Sequence, residues 1–158
     1  MVLRGRSFSA GGERLYCDRG FNVIRCILRL ILVRDAMVSD VVSVDAEATL
    51  KETCRIMSEK HIGSVIVTKS GRPEGIFTER DLLSKVITKN VDIGRSRVKD
   101  YMSAPLTVIR PDYELKEAAR AMTQLHIRRL PVVENDKLVG IITSSDIVRA
   151  MAKDPLEI

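Results

Sequence analysis

One stretch of this chain is written twice. Residues 33–87 and 98–152 align at a constant offset without a gap. Val33-Arg34-Asp35-Ala36-Met37 lies over Val98-Lys99-Asp100-Tyr101-Met102, and Leu50-Lys51-Glu52 over Leu115-Lys116-Glu117. Gly75-Ile76-Phe77-Thr78-Glu79-Arg80-Asp81 lies over Gly140-Ile141-Ile142-Thr143-Ser144-Ser145-Asp146. A repeat that keeps register over its whole length preserves one supersecondary unit. Two copies are too few for a solenoid. They point to two similar halves about a pseudo-twofold axis, with the clefts between them as the natural place for a ligand.

A chain of 158 residues suits one domain, or two small halves sharing a core. With only 4% aromatic residues, that core must be aliphatic. Cys17, Cys26 and Cys54 show no metal-binding spacing and leave an odd thiol, so reduced cysteines in a cytoplasmic chain are expected. Arg25, Arg29 and Arg34 interrupt the one apolar N-terminal run, which excludes a transmembrane helix there. The net charge of +5 is local. Residues 1–34 set Arg4, Arg6, Arg14, Arg19, Arg25, Arg29 and Arg34 against only Glu13 and Asp18, and the repeat itself is neutral. Any general attraction to nucleic acid or an anionic membrane would come from the tail.

The tail spans residues 1–32. Its first part has the Gly/Ser/Arg content of a disordered segment. From Phe21 to Val33, Val23, Ile24, Ile27, Leu28, Ile31 and Leu32 recur at helical spacing. A helix packed on the repeat, a membrane-surface helix and a start codon placed too early are all compatible with this segment. Each repeat then reads β-α-β-β-α. The first strands are expected at Val41–Val44 and Leu106–Ile109. In the helices that follow, Leu50, Thr53, Cys54 and Met57, or Leu115, Ala118, Ala119 and Met122, share a face. Thr49 with Glu52 forms a capping-box pattern, and Asp112 is the expected N-cap of the second helix. Strands at Ser64–Thr68 and Leu130–Val133, polar turns, and strands at Glu74–Thr78 and Leu138–Thr143 lead to closing helices from Glu79 and Ser144. Residues 88–97 form a polar linker and 153–158 a C-terminal tail.

Two such tandem units, opening on V-x-D-x-M and closing on G-[IV]-[IFV]-T-x-x-D, resemble a pair of CBS domains, a Bateman module. The resemblance covers Val33 to Ala152. It implies an α+β fold of two packed CBS units at 33–87 and 98–152, and clefts that bind adenine-containing ligands: AMP, ADP, ATP or S-adenosylmethionine. It also implies a non-catalytic role reporting ligand level to an enzyme or channel, and pairing into flat homodimers.

The residues support such a site on chemical grounds. A nucleoside needs an acceptor pair for the ribose diol, an apolar slot for the purine and donors for the phosphate. Asp81 and Asp146, each three residues after a threonine at a strand-to-helix turn, can accept from both ribose hydroxyls. Thr78 and Thr143 can donate to a phosphate, assisted by the helix N-terminus. The same T-x-x-D spacing is also a capping box, and the two roles are compatible. Arg80 resembles the basic residue of the family's T-E-R-D variant. Arg128 and Arg129 resemble a basic pair that points toward phosphate, while the first unit carries Gly63-Ser64 there. The family pattern assigns Ser43 and Val44 to the cleft of Asp146, and Val108 and Ile109 to that of Asp81. Ile62, beside Gly63, and Ile127 would wall the base, although each also suits an ordinary core. His61 and His126 fall at matching helix ends, where a histidine serves the helix terminus.

No Ser/His/Asp order, thiolate environment or metal constellation supports an enzyme. The expected function is a stand-alone regulatory module acting on a protein partner in trans. The alternative is a dimerising or nucleic-acid-associated protein that acts through its Arg-rich tail.

Overall fold

The structure is a computed structural model that describes residues 31–152. The helix expected from Phe21, apart from its last residues, and the tail at 153–158 lie outside the described residues. The first unit contains α1 (Val33–Ala36), β1 (Ser43–Asp45), α2 (Leu50–Glu59), β2 (Ser64–Lys69), β3 (Arg72–Thr78) and α3 (Glu79–Asp81). The second opens with a 3-10 turn at Val98–Asp100 and contains α4 (Leu115–Gln124), β4 (Arg129–Glu134), β5 (Lys137–Thr143) and α5 (Ser144–Ala152).

Both hairpins turn on two residues with positive φ: Ser70 (50°) and Gly71 (78°), then Asn135 (49°) and Asp136 (61°). Positive φ at both central positions gives the twist that suits two antiparallel strands. β1 then joins β2 in parallel, with Val44 opposite Val67, one to two residues later than expected. The strand expected over Leu106–Ile109 does not form, and only Ile109 bridges to Val132. A proline is the reason. In the first unit the Ile66 N–H donates to the Val42 carbonyl at 3.1 Å. Its counterpart in the second unit is Pro131, which has no N–H to give.

α2 and α4 bury matching faces, Leu50, Thr53 and Met57 in one and Leu115, Ala118 and Met122 in the other. Thr49 Oγ1 accepts from the Glu52 N–H at 3.1 Å and caps α2. Asp112 does not cap α4. The residue at the N-cap is Glu114, and the Asp112 carboxylate accepts two bonds from the Arg110 guanidinium at 3.1 and 2.9 Å. Both helices end in the same motif. The Ile62 N–H reaches back to the Met57 carbonyl and the Ile127 N–H to that of Met122, each at 3.0 Å. His61 (φ 52°) and His126 (φ 53°) take the left-handed position between, which reverses the chain.

The closing helices differ. α5 is continuous, whereas α3 widens into a π turn at Leu82–Val86 and tightens into a 3-10 turn at Ile87–Lys89. Ser84 Oγ donates to the Arg80 carbonyl at 2.6 Å and Thr88 Oγ1 to that of Ser84 at 2.7 Å. Such back-bonding loosens a helix. Arg149 stands in place of Ser84 in the second unit.

The two cores are built reciprocally. Val98, from the opening of the second unit, packs with Leu50, Val65, Val67 and Phe77. Val33, from the opening of the first, packs with Leu115, Leu130, Val132 and Ile142. Both valines are 0% exposed, and each such burial stabilises by about 1.5–3 kcal/mol. Antiparallel bridges Val38–Ile141 and Ser103–Ile76 continue the exchange. A Cβ on Gly140 would lie 2.5 Å from Met37 Sδ, and one on Gly75 2.5 Å from Met102 Sδ. The methionine of each opening motif therefore sits on the glycine of the other unit's closing motif, an approach only glycine permits.

Candidate functional site

Each closing motif folds into the same turn. Thr78 donates from N–H (3.0 Å) and Oγ1 (2.6 Å) to Asp81 Oδ2, and the Asp81 N–H donates back to Thr78 Oγ1 at 3.3 Å. Thr143 and Asp146 repeat the pattern at 2.9, 2.6 and 3.3 Å. Capping is thus present at both positions, and both aspartates are buried, each 6% exposed.

Their second oxygens differ. Among the described residues, Asp146 Oδ1 accepts only from Arg149, at 3.0 Å, whose side chain is largely exposed. Asp81 Oδ1 accepts from Ser103 Oγ at 2.9 Å and pairs with the Lys85 ammonium at 2.7 Å. Lys85 also donates to the carbonyls of Tyr101 and Met102 and to Ser103 Oγ, at 3.1, 3.2 and 3.1 Å. Burial alone would raise the Asp81 carboxyl. The hydrogen bonds from Lys85, Thr78 and Ser103, with the charge of Lys85, outweigh it and hold the group below its ordinary value.

Above Asp81 lies a cavity of about 270 Å³ between the units, lined by Ile76, Thr78, Glu79, Arg80 and Asp81 on one side and by Ser103, Pro105, Thr107, His126, Ile127, Arg128, Arg129 and Pro131 on the other. That volume is near the lower end of roughly 300–1,000 Å³ usual for small-molecule pockets. Local structure explains the convergence. The N-terminal turn of α3 carries Arg80 beside Asp81, and the chain reversal at His126 aims Ile127, Arg128 and Arg129 back along the start of β4. Arg129 extends toward the first unit, where a Cβ on Gly63 would lie 2.8 Å from its Nη2 and 2.9 Å from Glu79 Oε2. Burial pushes the Arg129 guanidinium below its ordinary value, Arg128 acts in the same direction, and Glu79 opposes both. Among the described residues, Arg80, Arg128 and Arg129 form no ion pair within 4 Å.

Of the candidates read from the sequence, Thr78, Arg80, Asp81, Ile127, Arg128 and Arg129 meet in this cavity. Val108 and Ile109 do not line it. Ile109 is buried in the second core and Val108 turns outward, 46% exposed. The segment instead presents Thr107 to the cavity. Ile62 and Gly63 line a separate, open cavity of about 490 Å³ with Cys54, Met57, Ser58, His61, Glu79 and Leu82. Ser43, Val44, Thr143 and Asp146 line neither cavity. Val44 is buried within its own unit, because it faces inward in β1 opposite Val67. Ser103, Thr107, His126 and Glu79 were not among the expected site residues. Ser103 follows the opening motif directly, but only the reciprocal packing brings it to Asp81.

The surroundings limit other chemistries. Burial pushes the Cys54 thiol up, away from the thiolate. Among the described residues no group of three His, Cys, Asp or Glu side chains could hold a metal ion, and no helix is long and apolar enough to cross a membrane.

The chain matches the model of the CBS domain twice, at residues 33–88 and 98–153. It is 38% identical over 124 residues to an uncharacterized protein of Methanopyrus kandleri, covering 77% of this chain and 63% of that protein. It is 32% identical over 115 residues to the CBS domain-containing protein YhcV of Bacillus subtilis, covering 73% and 81%. Among solved structures, a CBS-domain containing protein from Agrobacterium tumefaciens is similar at 31% identity and a TM-score of 0.70, over 75% of this chain and 92% of that one. The hexameric CBS-CP12 protein from bloom-forming cyanobacteria is similar at 33% identity and a TM-score of 0.70, over 75% and 66%. The chain spans less than two thirds of the Methanopyrus relative's own length. With the fold, the repeated motifs and both matches in agreement, this chain belongs to the CBS-domain family, as a tandem pair of the kind that generally serves as a regulatory, ligand-binding module.

Proposed function

We propose that this chain is a non-catalytic regulatory module that binds an adenine nucleotide in the cleft of Asp81 and signals its occupancy to a protein partner. The observation that carries the reading is the convergence of Arg80, Arg128 and Arg129, from both units, on one cavity without a neutralising ion pair among the described residues. Arginine forks suit phosphate oxygens and form the stronger, charge-assisted hydrogen bonds. Asp81 supplies carboxylate oxygens for the diol, Thr78 a hydroxyl, and Ile76, Ile127 and Pro131 apolar surface for the base. The same charge disfavours the sulfonium cation of S-adenosylmethionine, so AMP, ADP and ATP are the favoured ligands. Because both units contribute, a bound nucleotide favours one relative arrangement of the two, which is how a ligand shifts an equilibrium. The closing helices leave Leu83, Ile87, Val148 and Met151 exposed, and pairing of two copies through these faces completes the proposal.

Thermal unfolding against a nucleotide panel tests it. At about 100 times its dissociation constant, a ligand confined to the folded state stabilises by roughly 2.7 kcal/mol. AMP, ADP or ATP should raise the Tm and S-adenosylmethionine should not. No shift with any of the four at millimolar concentration overturns the nucleotide reading, and a monomeric mass by light scattering overturns the pairing.

A further inference from the structure

Asp81 already holds a full set of donors, and one of them belongs to the cleft. A carboxylate offers about four lone-pair sites. Oδ2 takes the Thr78 N–H and hydroxyl, the two bonds that cap the helix. Oδ1 takes Lys85 at 2.7 Å and Ser103 Oγ at 2.9 Å. Lys85 does not line the cavity, whereas Ser103 does. The Ser103 backbone is fixed by reciprocal bonds with Ile76, at 2.8 and 3.0 Å, so its hydroxyl, which also accepts from Lys85 at 3.1 Å, can leave Asp81 only by rotation about the Cα–Cβ bond. Its counterpart in the first unit is Val38, which has no hydroxyl to offer Asp146.

We infer that Ser103 is a specificity-determining residue whose hydroxyl occupies the Asp81 position a ligand diol must take, so that binding of a vicinal diol displaces the Ser103–Asp81 hydrogen bond. The inference rests on the nucleotide reading above. Displacement gives up the Ser103–Asp81 bond and the Lys85–Ser103 bond at 3.1 Å, while Lys85 keeps its bonds to the Tyr101 and Met102 carbonyls and its pairing with the carboxylate. A ligand with a single hydroxyl at that place replaces one donor with another and gains little. A diol fills the one vacated site with its first hydroxyl and shares its second, as a three-centre bond, with a carboxylate oxygen already in use. Ser103 thereby sets a threshold that the Asp146 turn lacks.

The test compares AMP with 2′,3′-dideoxy-AMP by titration calorimetry on the full chain and on Ser103→Ala, with Ser103→Thr as the variant that retains a hydroxyl. Removal of a competing donor should tighten AMP by about three- to tenfold, the range of one modest hydrogen bond. The dideoxy analogue should be unchanged and Ser103→Thr should resemble the wild type. Weaker AMP binding in Ser103→Ala would mean that the hydroxyl contacts the ligand, and equal changes for both ligands would mean that it shapes the pocket. Either result, or no change, overturns the inference while leaving the nucleotide reading intact. Absence of AMP binding to the wild-type chain overturns the nucleotide reading itself and the role of Ser103 with it.

Discussion

Asp81 and Asp146 occupy the same turn, yet the partners of their second carboxylate oxygens differ. Asp81 accepts four bonds, one from a cation, whereas Asp146 relies beyond its cap on Arg149, which water can replace. Asparagine keeps a cap acceptor for the Thr N–H and hydroxyl, but its second atom is a donor. At position 146 that donor faces a side chain free to swing away, so Asp146→Asn should change stability little. At position 81 it faces Lys85 and Ser103, and Asp81→Asn should cost about 1.5–3 kcal/mol, the scale of a hydrogen bond to a charged group. The carboxyl of Asp81 is depressed in the folded chain. Its contribution is therefore present above the unfolded-state value and is lost as pH falls through the lower folded value. Urea titrations across that acid range should show a weaker pH dependence for Asp81→Asn than for the wild type. Parallel acid limbs would show that the Lys85 pair contributes no net stability.

At the scale of elements, the reversal after α4 and the turn before α3 bring the cations together. The reversal is legible in the sequence as a repeated helix end, His61-Ile62 and His126-Ile127. The arginines are not repeated: Gly63-Ser64 occupies their place in the first unit, and the absent side chain at Gly63 opens the space that Arg129 enters. Arg129→Ala should weaken AMP by roughly ten- to a hundredfold, from loss of one charge-assisted contact, and leave adenosine nearly unchanged. Calorimetry with both ligands checks this, and equal losses would assign Arg129 to the fold or the base pocket. Other elements were less legible. The strand at Leu106–Ile109 fails because Pro131 withholds one N–H, a pairing fact that propensity within the strand itself cannot express. Asp112, an acceptable cap by residue type, is taken up by Arg110 two positions away.

Across the whole molecule, each half donates its opening segment to the other. Val33 and Val98 exchange cores, and Met37 and Met102 rest on Gly140 and Gly75. A Cβ at Gly75 would also come within 3.0 Å of the Ser103 carbonyl, part of a backbone bridge that cannot yield as a side chain does. Gly75→Ala should therefore cost about 1–3 kcal/mol by overpacking. Because the bridge carries Ser103, it should also disturb the Asp81 cleft. A lowered Tm together with weakened AMP binding is the expected pair of results. An unchanged Tm would show that the exchanged segment packs more loosely than the structure indicates.

The repeat, the order of strands and helices apart from the strand at Leu106–Ile109 and the broken first closing helix, the hairpin turns, the T-x-x-D caps and the family itself were all present in the sequence. They follow from rules that act over a few residues, or from a register that two copies display side by side. Tertiary structure decided which of two equivalent carboxylates faces the cations, and that Thr107 lines the cleft while Val108 and Ile109 do not. It also brought Ser103 to Asp81 across the boundary between the units. Those outcomes depend on contacts between segments far apart in the chain, where a missing N–H at Pro131 or a missing Cβ at Gly63 redirects its neighbours. Sequence spacing carries no record of such contacts until the two halves are packed.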